Sequence, residues 1–314
     1  MFKCPNNNIN SLTITCCFES FIIEKKSNGL SNSTIETYTQ HIKEVTKIIG
    51  DIDIQDFTKN EYNQIVLGLQ ARNIKGVTVA SYCRSIRAFL YWCMDEGYLN
   101  RFKIKIPKYQ KTIKQTYTDE ELKRLLKKPN IKTCTFTEYK IWFAENVLIA
   151  TGLRIRSLLN IKIKDIDLID NSVIVNTTKN KTPLKTYYNK ILANMIKEYL
   201  RYRGGQEDDY LICTNEGEQM KVRSLQSAVQ KYNHSRGVNK TSVHLFRHTF
   251  TKNTILAGVD VFTLMRMLQH ANIETTQNYV KMLNVDVKNA CEIYNPQKKY
   301  IVNNQHKKIT MRKD

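Results

Sequence analysis

The sequence predicts a mainly α-helical protein of two domains, with a small β-sheet confined to the second. Three observations carry that reading. Apolar residues recur at spacings of three and four through most of the chain. A basic stretch at 101–117 holding a proline breaks that period, and short strand-like runs rich in Ile and Val stand at 166–168 and 173–177. A chain of 314 residues that is 41% hydrophobic can bury a core in each domain.

The first domain, 1–100, reads as a bundle of four or five helices. Phe18, Phe21 and Ile22 mark the earliest. Ser33-Thr-Ile-Glu36 has the capping-box form of a small polar residue followed three later by Glu, and Ile35, Tyr38, Ile42, Val45 and Ile49 continue one apolar face. Thr58-Lys-Asn-Glu61 starts another helix, with Tyr62, Ile65, Val66 and Leu69. A further helix is expected from Thr78, carrying Tyr82, Ile86, Phe89, Leu90 and Cys93 on its stripe, with Arg84 and Arg87 displaced toward another face.

Residues 101–117, RFKIKIPKYQKTIKQTY, hold six basic residues and no acidic one, and are expected to form an extended linker. The second domain, 118–290, opens on the capping box Thr118-Asp-Glu-Glu121. A long helix over 138–150 stops at Thr151-Gly152, and a new one runs through Leu158 and Leu159. Strands are expected at 166–168 and 173–177 around a turn at Asp170-Asn171, with a third through Tyr187 and Tyr188 after a turn at 178–181. Helices follow at 191–202, 223–232, 244–257, 261–268 and 274–282, and a tail at 291–314 closes the chain with six basic residues against one acidic from 297 onward.

Forty-nine Lys and Arg against 29 Asp and Glu give a net charge of +20, which favours a polyanionic partner, most simply nucleic acid. Arg84, Arg87, Lys103, Lys105, Lys108 and Lys111 are accordingly the candidate DNA contacts, the lysines because an extended cationic segment can follow a phosphate backbone. The eight cysteines are scattered without C-x-x-C pairs or His at ligand spacing, so reduced thiols and no metal are expected. No run of eighteen apolar residues and no signal-peptide pattern occurs, which makes a cytoplasmic location the expectation.

The chemistry-bearing residues gather toward the C-terminus. His244 and Arg247 share a helix face at i, i+3, with His248 one step round. Thr151-Gly-Leu-Arg154 adds an arginine at a glycine turn between two helices, where backbone can approach a ligand. His270 follows the end of one helix and Tyr279 sits in the next. Alone, an H-x-x-R pair or one Tyr among 17 is more often structural. Together they suit phosphoryl transfer: arginines grip non-bridging oxygens bidentately, histidine carries protons, and a tyrosine oxygen is a nucleophile.

TGLR at 151–154, HLFRH at 244–248 and LQHANIETTQNY at 268–279, in that order, resemble the tyrosine recombinase (phage integrase) family. GLSNSTIETY at 29–38 is similar to the start of its core-binding domain, so the resemblance spans nearly the whole chain and is Xer-like. It implies a two-domain, C-shaped clamp around duplex DNA, made of a helical core-binding domain and a catalytic domain. It also implies that Arg154 and Arg247 hold the phosphate, that His244 and His270 assist proton transfer, and that Tyr279 forms a 3′-phosphotyrosyl bond without metal, ATP or other cofactor. The hairpin lysine best matches Lys179, with Lys181 as runner-up. The family's acidic residue three after the first arginine is here Ser157, and the glycine before the third-motif histidine is Gln269.

The expected function is therefore site-specific recombination through a Holliday junction by a tetramer on two DNA sites, with accessory factors left open. The first domain begins close to residue 1, without room for an arm-binding domain, which suits a simple core-site enzyme of either kind; the irregular motif positions and the richness in Asn, Ile and Lys make integration or excision of a mobile element the first expectation. Resolution of chromosome or plasmid dimers is the second. An inactive DNA-binding relative, a type IB topoisomerase-like enzyme and, last, a metal-dependent nuclease complete the alternatives.

Overall fold

The structure is a computed structural model and describes residues 12–110, 115–176 and 183–268. Lys111, Lys179, Lys181, His270, Tyr279, the helix expected at 274–282 and the tail at 291–314 lie outside these residues. The chain divides into two compact units, Met1–Thr112 and Ile113–Asp314.

Among the described residues the first unit holds four α-helices: α1 (Ile14–Ser27), α2 (Asn32–Ile49), α3 (Lys59–Gln70) and α4 (Gly76–Asp95). Phe21 is fully buried at their centre, with Phe89 and Trp92 edge-on at 5.6 and 5.7 Å. The capping box at Thr58 and Glu61 forms as expected. At α2, Ser31 rather than Ser33 caps the helix, its hydroxyl accepting from the Thr34 N–H, so Glu36 falls beyond the third helical position. α4 begins two residues before Thr78.

The basic stretch is not a plain connector. From 102 to 106 its side chains alternate: Phe102, Ile104 and Ile106 pack into the first unit's core while Lys103, Lys105 and Lys108 stay exposed. The Tyr62 hydroxyl donates to the Lys105 carbonyl at 2.9 Å and fixes that path. Tyr117, at the other end, is buried in the core of the second unit.

The second unit is built on α6 (Phe136–Thr151), which is buried on all sides along most of its length and so lacks an amphipathic stripe. Around it lie α5 (Asp119–Leu125), α7 (Ile155–Leu159), α8 (Lys190–Arg203), α9 (Val222–Ser235), α10 (His244–Leu256) and α11 (Val261–Leu268). Strands β1 (Ile166–Asp167), β2 (Ser172–Val175) and β3 (Leu184–Tyr187) form an antiparallel sheet in that order, with Val173 opposite Ile166 on one side and Thr186 on the other. Asn171 takes the left-handed conformation, φ 49°, that the tight β1–β2 turn needs. β2 ends two residues short of the expected 177.

Phe143 stacks on Tyr199 at 3.9 Å, and Trp142 donates its indole N–H to the Leu126 carbonyl. A separate, smaller cluster of Phe250, Ile255, Leu264 and Leu268 joins α10 to α11. Cys17, Cys83, Cys93, Cys134 and Cys213 are free thiols. Cys16, half-exposed in the first turn of α1, is disulfide-bonded, which corrects the expectation of eight reduced cysteines. Spacing cannot reveal a bridge at a position that faces away from the core.

Candidate active site

The T-G-L-R turn ends α6. Thr151 folds its hydroxyl back onto the Val147 carbonyl at 2.6 Å, and Gly152 caps the helix at φ +63°. A side chain there would also collide, since a Cβ at Gly152 would meet Phe250 Cδ1 at 2.5 Å and Leu268 Cδ2 at 3.0 Å. The tight turn sets Arg154 at the head of α7, half-buried, where desolvation lowers its pKa. Ser157 is buried on the same helix.

α10 crosses α6 and brings the second motif to this turn. Arg247 is buried, 8% exposed, and its guanidinium donates to two backbone carbonyls, those of Gly152 and Leu268. It thereby ties the T-G-L-R turn to the end of α11, two residues before His270. The planar fork of donors is well shaped for this, and holding two carbonyls fixes its plane. The Asp260 carboxylate caps α11 through the N–H groups of Phe262 and Thr263, at 2.9 and 3.0 Å.

His244 is the first residue of α10. Its pKa lies below the ordinary imidazole value, first through partial desolvation and then through the positive charges of Arg247 and Arg154. Three residues from motifs ninety positions apart thus act on one point. A neutral imidazole beside two guanidinium groups suits an anionic, oxygen-rich ligand that needs both charge and a proton relay. His248, in the next position round the helix, is half-buried.

In the first unit Arg84 is exposed on α4 and bonds the Tyr109 hydroxyl at 3.3 Å, while Arg87 is half-buried. Lys103, Lys105 and Lys108 point outward along the extended segment. Sequence reasoning passed over two buried groups of the second unit. One is Tyr117, with Thr249 and Lys240, which brackets the start of α10; an aromatic just before the Thr118 cap was the available signal. The other is Glu145, fully buried in α6 with neither carboxylate oxygen hydrogen-bonded.

The phage integrase family profile matches residues 115–284. The chain belongs to the phage integrase family. Among its curated relatives, tyrosine recombinase XerC of Staphylococcus aureus (strain USA300 / TCH1516) is 25% identical over 269 residues, spanning 83% of this chain and 89% of that one. Among solved structures, the Tn1549 transposon integrase in complex with transposon right end DNA aligns with a TM-score of 0.71 at 19% identity, over 85% of this chain and 94% of that one. A lambda integrase tetramer bound to a Holliday junction aligns with a TM-score of 0.67 at 16% identity, over 85% and 80%. Both likenesses bear on the fold. No described helix is long and apolar enough to cross a membrane.

Proposed function

We propose that this protein is a site-specific DNA recombinase of the tyrosine class. The observation that carries the reading is that Arg247, on the helix that His244 begins, donates to the Gly152 carbonyl two residues before Arg154, which joins the two motifs, and both guanidinium charges help lower the imidazole's pKa. In this mechanism the two arginines neutralise the non-bridging oxygens of a scissile phosphate. The Tyr279 hydroxyl attacks phosphorus, losing its proton with help from His244 and His270, and forms a 3′-phosphotyrosyl bond. The departing 5′ oxygen takes a proton from Lys179, or from Lys181 if the hairpin is registered differently. Because the tyrosyl ester keeps the phosphodiester's energy, a 5′ hydroxyl from a second duplex can reverse the step without ATP. No metal is required where two arginines carry the charge.

Strand exchange on paired double-stranded sites calls for four protomers and passes through a Holliday junction, as the lambda integrase tetramer suggests by analogy. The role we favour is integration or excision of a mobile element. Resolution of chromosome or plasmid dimers is the second reading.

The test is a nicked duplex carrying the candidate site, incubated with the protein in EDTA. A covalent adduct with wild type and none with Tyr279→Phe is expected. No adduct from wild type while the duplex is still bound would leave only a DNA-binding relative.

A further inference from the structure

We propose that Tyr117 is a positioning residue for this site: it fixes the first turn of α10, and with it His244 and Arg247, by stapling the end of the linker to the segment that leads into that helix. The inference rests on the recombinase reading and adds a residue outside the motifs that define it.

α10 has no side-chain cap to set where it begins. Its N-cap is Val243, whose side chain accepts no hydrogen bond. The start is held by tertiary bonds instead, and Tyr117 is their hub. Its backbone N–H donates to Thr249 Oγ1 at 2.9 Å, and the same Thr249 hydroxyl donates to the Leu245 carbonyl at 2.7 Å, beside His244. Its ring packs against Phe246 with centroids 4.6 Å apart. Its hydroxyl faces the carbonyls of Lys240 and Ser242 at 3.3 and 3.5 Å and accepts from Asn233 Nδ2 at 3.1 Å.

With one proton, the hydroxyl serves one carbonyl at a time, and Asn233 Nδ2 also holds the Lys240 carbonyl at 2.8 Å. Burial, and after it nearby Glu145, pushes the phenol well above its ordinary pKa, so it remains a donor. Lys240 closes the staple from the other side, reaching the Thr116 carbonyl at 2.9 Å and Glu121 Oε2 at 2.8 Å. The bonds from Tyr117 and Lys240 cross between 116–121 and 233–249, and those to Ser242 and, through Thr249, to Leu245 flank His244. A shift of this segment therefore moves the first turn of α10, which carries His244.

Removing only the hydroxyl, Tyr117→Phe, keeps the ring in its packing and isolates the positioning role. Thr249→Val cuts the second arm, and Thr249→Ser preserves it. Three readouts are needed on the intact protein: the single-turnover rate of adduct formation on the nicked duplex, the Kd for that duplex, and the His244 titration followed by NMR. We expect Tyr117→Phe and Thr249→Val to slow the adduct roughly ten- to a hundredfold while Kd moves less than about twofold. The His244 titration should shift toward the ordinary imidazole value, and Thr249→Ser should restore the rate.

Wild-type rates in both Tyr117→Phe and Thr249→Val, or losses that only track the unfolded fraction, would overturn the proposal. Should wild type form no adduct, the recombinase reading fails separately. The NMR titration then decides: a shifted His244 in Tyr117→Phe supports the positioning role, and an unmoved one refutes it.

Discussion

The guanidinium of Arg247 donates to the carbonyl of Gly152, 95 positions upstream. One bond therefore joins the helix of the H-L-F-R motif to the turn of the T-G-L-R motif. A second, to the Leu268 carbonyl, extends the link to α11. A residue read from sequence as a phosphate ligand is also the clasp that holds three motif-bearing segments at fixed separation. Hydrogen bonds to a charged group are worth about 1.5–3 kcal/mol each, enough to matter in a marginally stable domain.

Gly152 is the partner that cannot change. Ala at this position would be strained at φ +63° and would place its Cβ 2.5 Å from the Phe250 ring. Gly152→Ala should destabilise the second unit by about 2–4 kcal/mol and lower adduct formation beyond what the loss of folded protein explains. Urea unfolding followed beside the adduct assay checks both; a neutral effect on stability would mean the turn relaxes without cost.

Glu145 should make stability depend on pH. Burial holds its pKa well above the ordinary value of 4.5, with Arg236 pulling weakly the other way. Above 4.5 the unfolded chain gives up this proton while the folded one keeps it, so stability falls as pH rises toward the folded value. Glu145→Met, similar in shape and without polar oxygens, should flatten that slope and stabilise the neutral-pH protein by about 1–3 kcal/mol. Unfolding midpoints from pH 5 to 8 provide the measurement, and an unchanged slope would acquit Glu145.

The outward lysines of the extended segment should act through phosphate charge alone. Lys103→Ala, Lys105→Ala and Lys108→Ala together should weaken DNA binding at low salt and reduce the slope of log K against log salt by roughly 0.9 per lost contact. Binding to unrelated duplexes should weaken equally. A loss restricted to one sequence would point to base contacts instead.

Helix period and glycine punctuation made most of the architecture legible. α6 with its stop at Gly152, and α11, follow from local signals. Where reading failed, the deciding interaction was between distant segments. The 102–106 alternation was visible in RFKIKIP, but a run dense in lysine reads as solvated until Tyr62 and the first core are seen to hold it. Ser33 and Ser31 are equally good caps by type, and geometry chose Ser31. Glu145 lay in an apolar helix where a charge predicts an exposed face, yet the helix is enclosed on all sides around it. The convergence of Arg154, His244 and Arg247 was legible only by resemblance, since no local rule brings residue 154 to residue 247.

The cluster of Phe250, Ile255, Leu264 and Leu268 gives α11 a separate account of stability. Four buried side chains hold it to α10, a small fraction of what surrounds α6. Local opening of this helix therefore costs less than global unfolding, and its amides belong to a weaker cooperative layer in hydrogen exchange. Since Arg247 grips Leu268, the last residue of that layer, the strength of its clasp sets how often α11 parts from the rest of the unit.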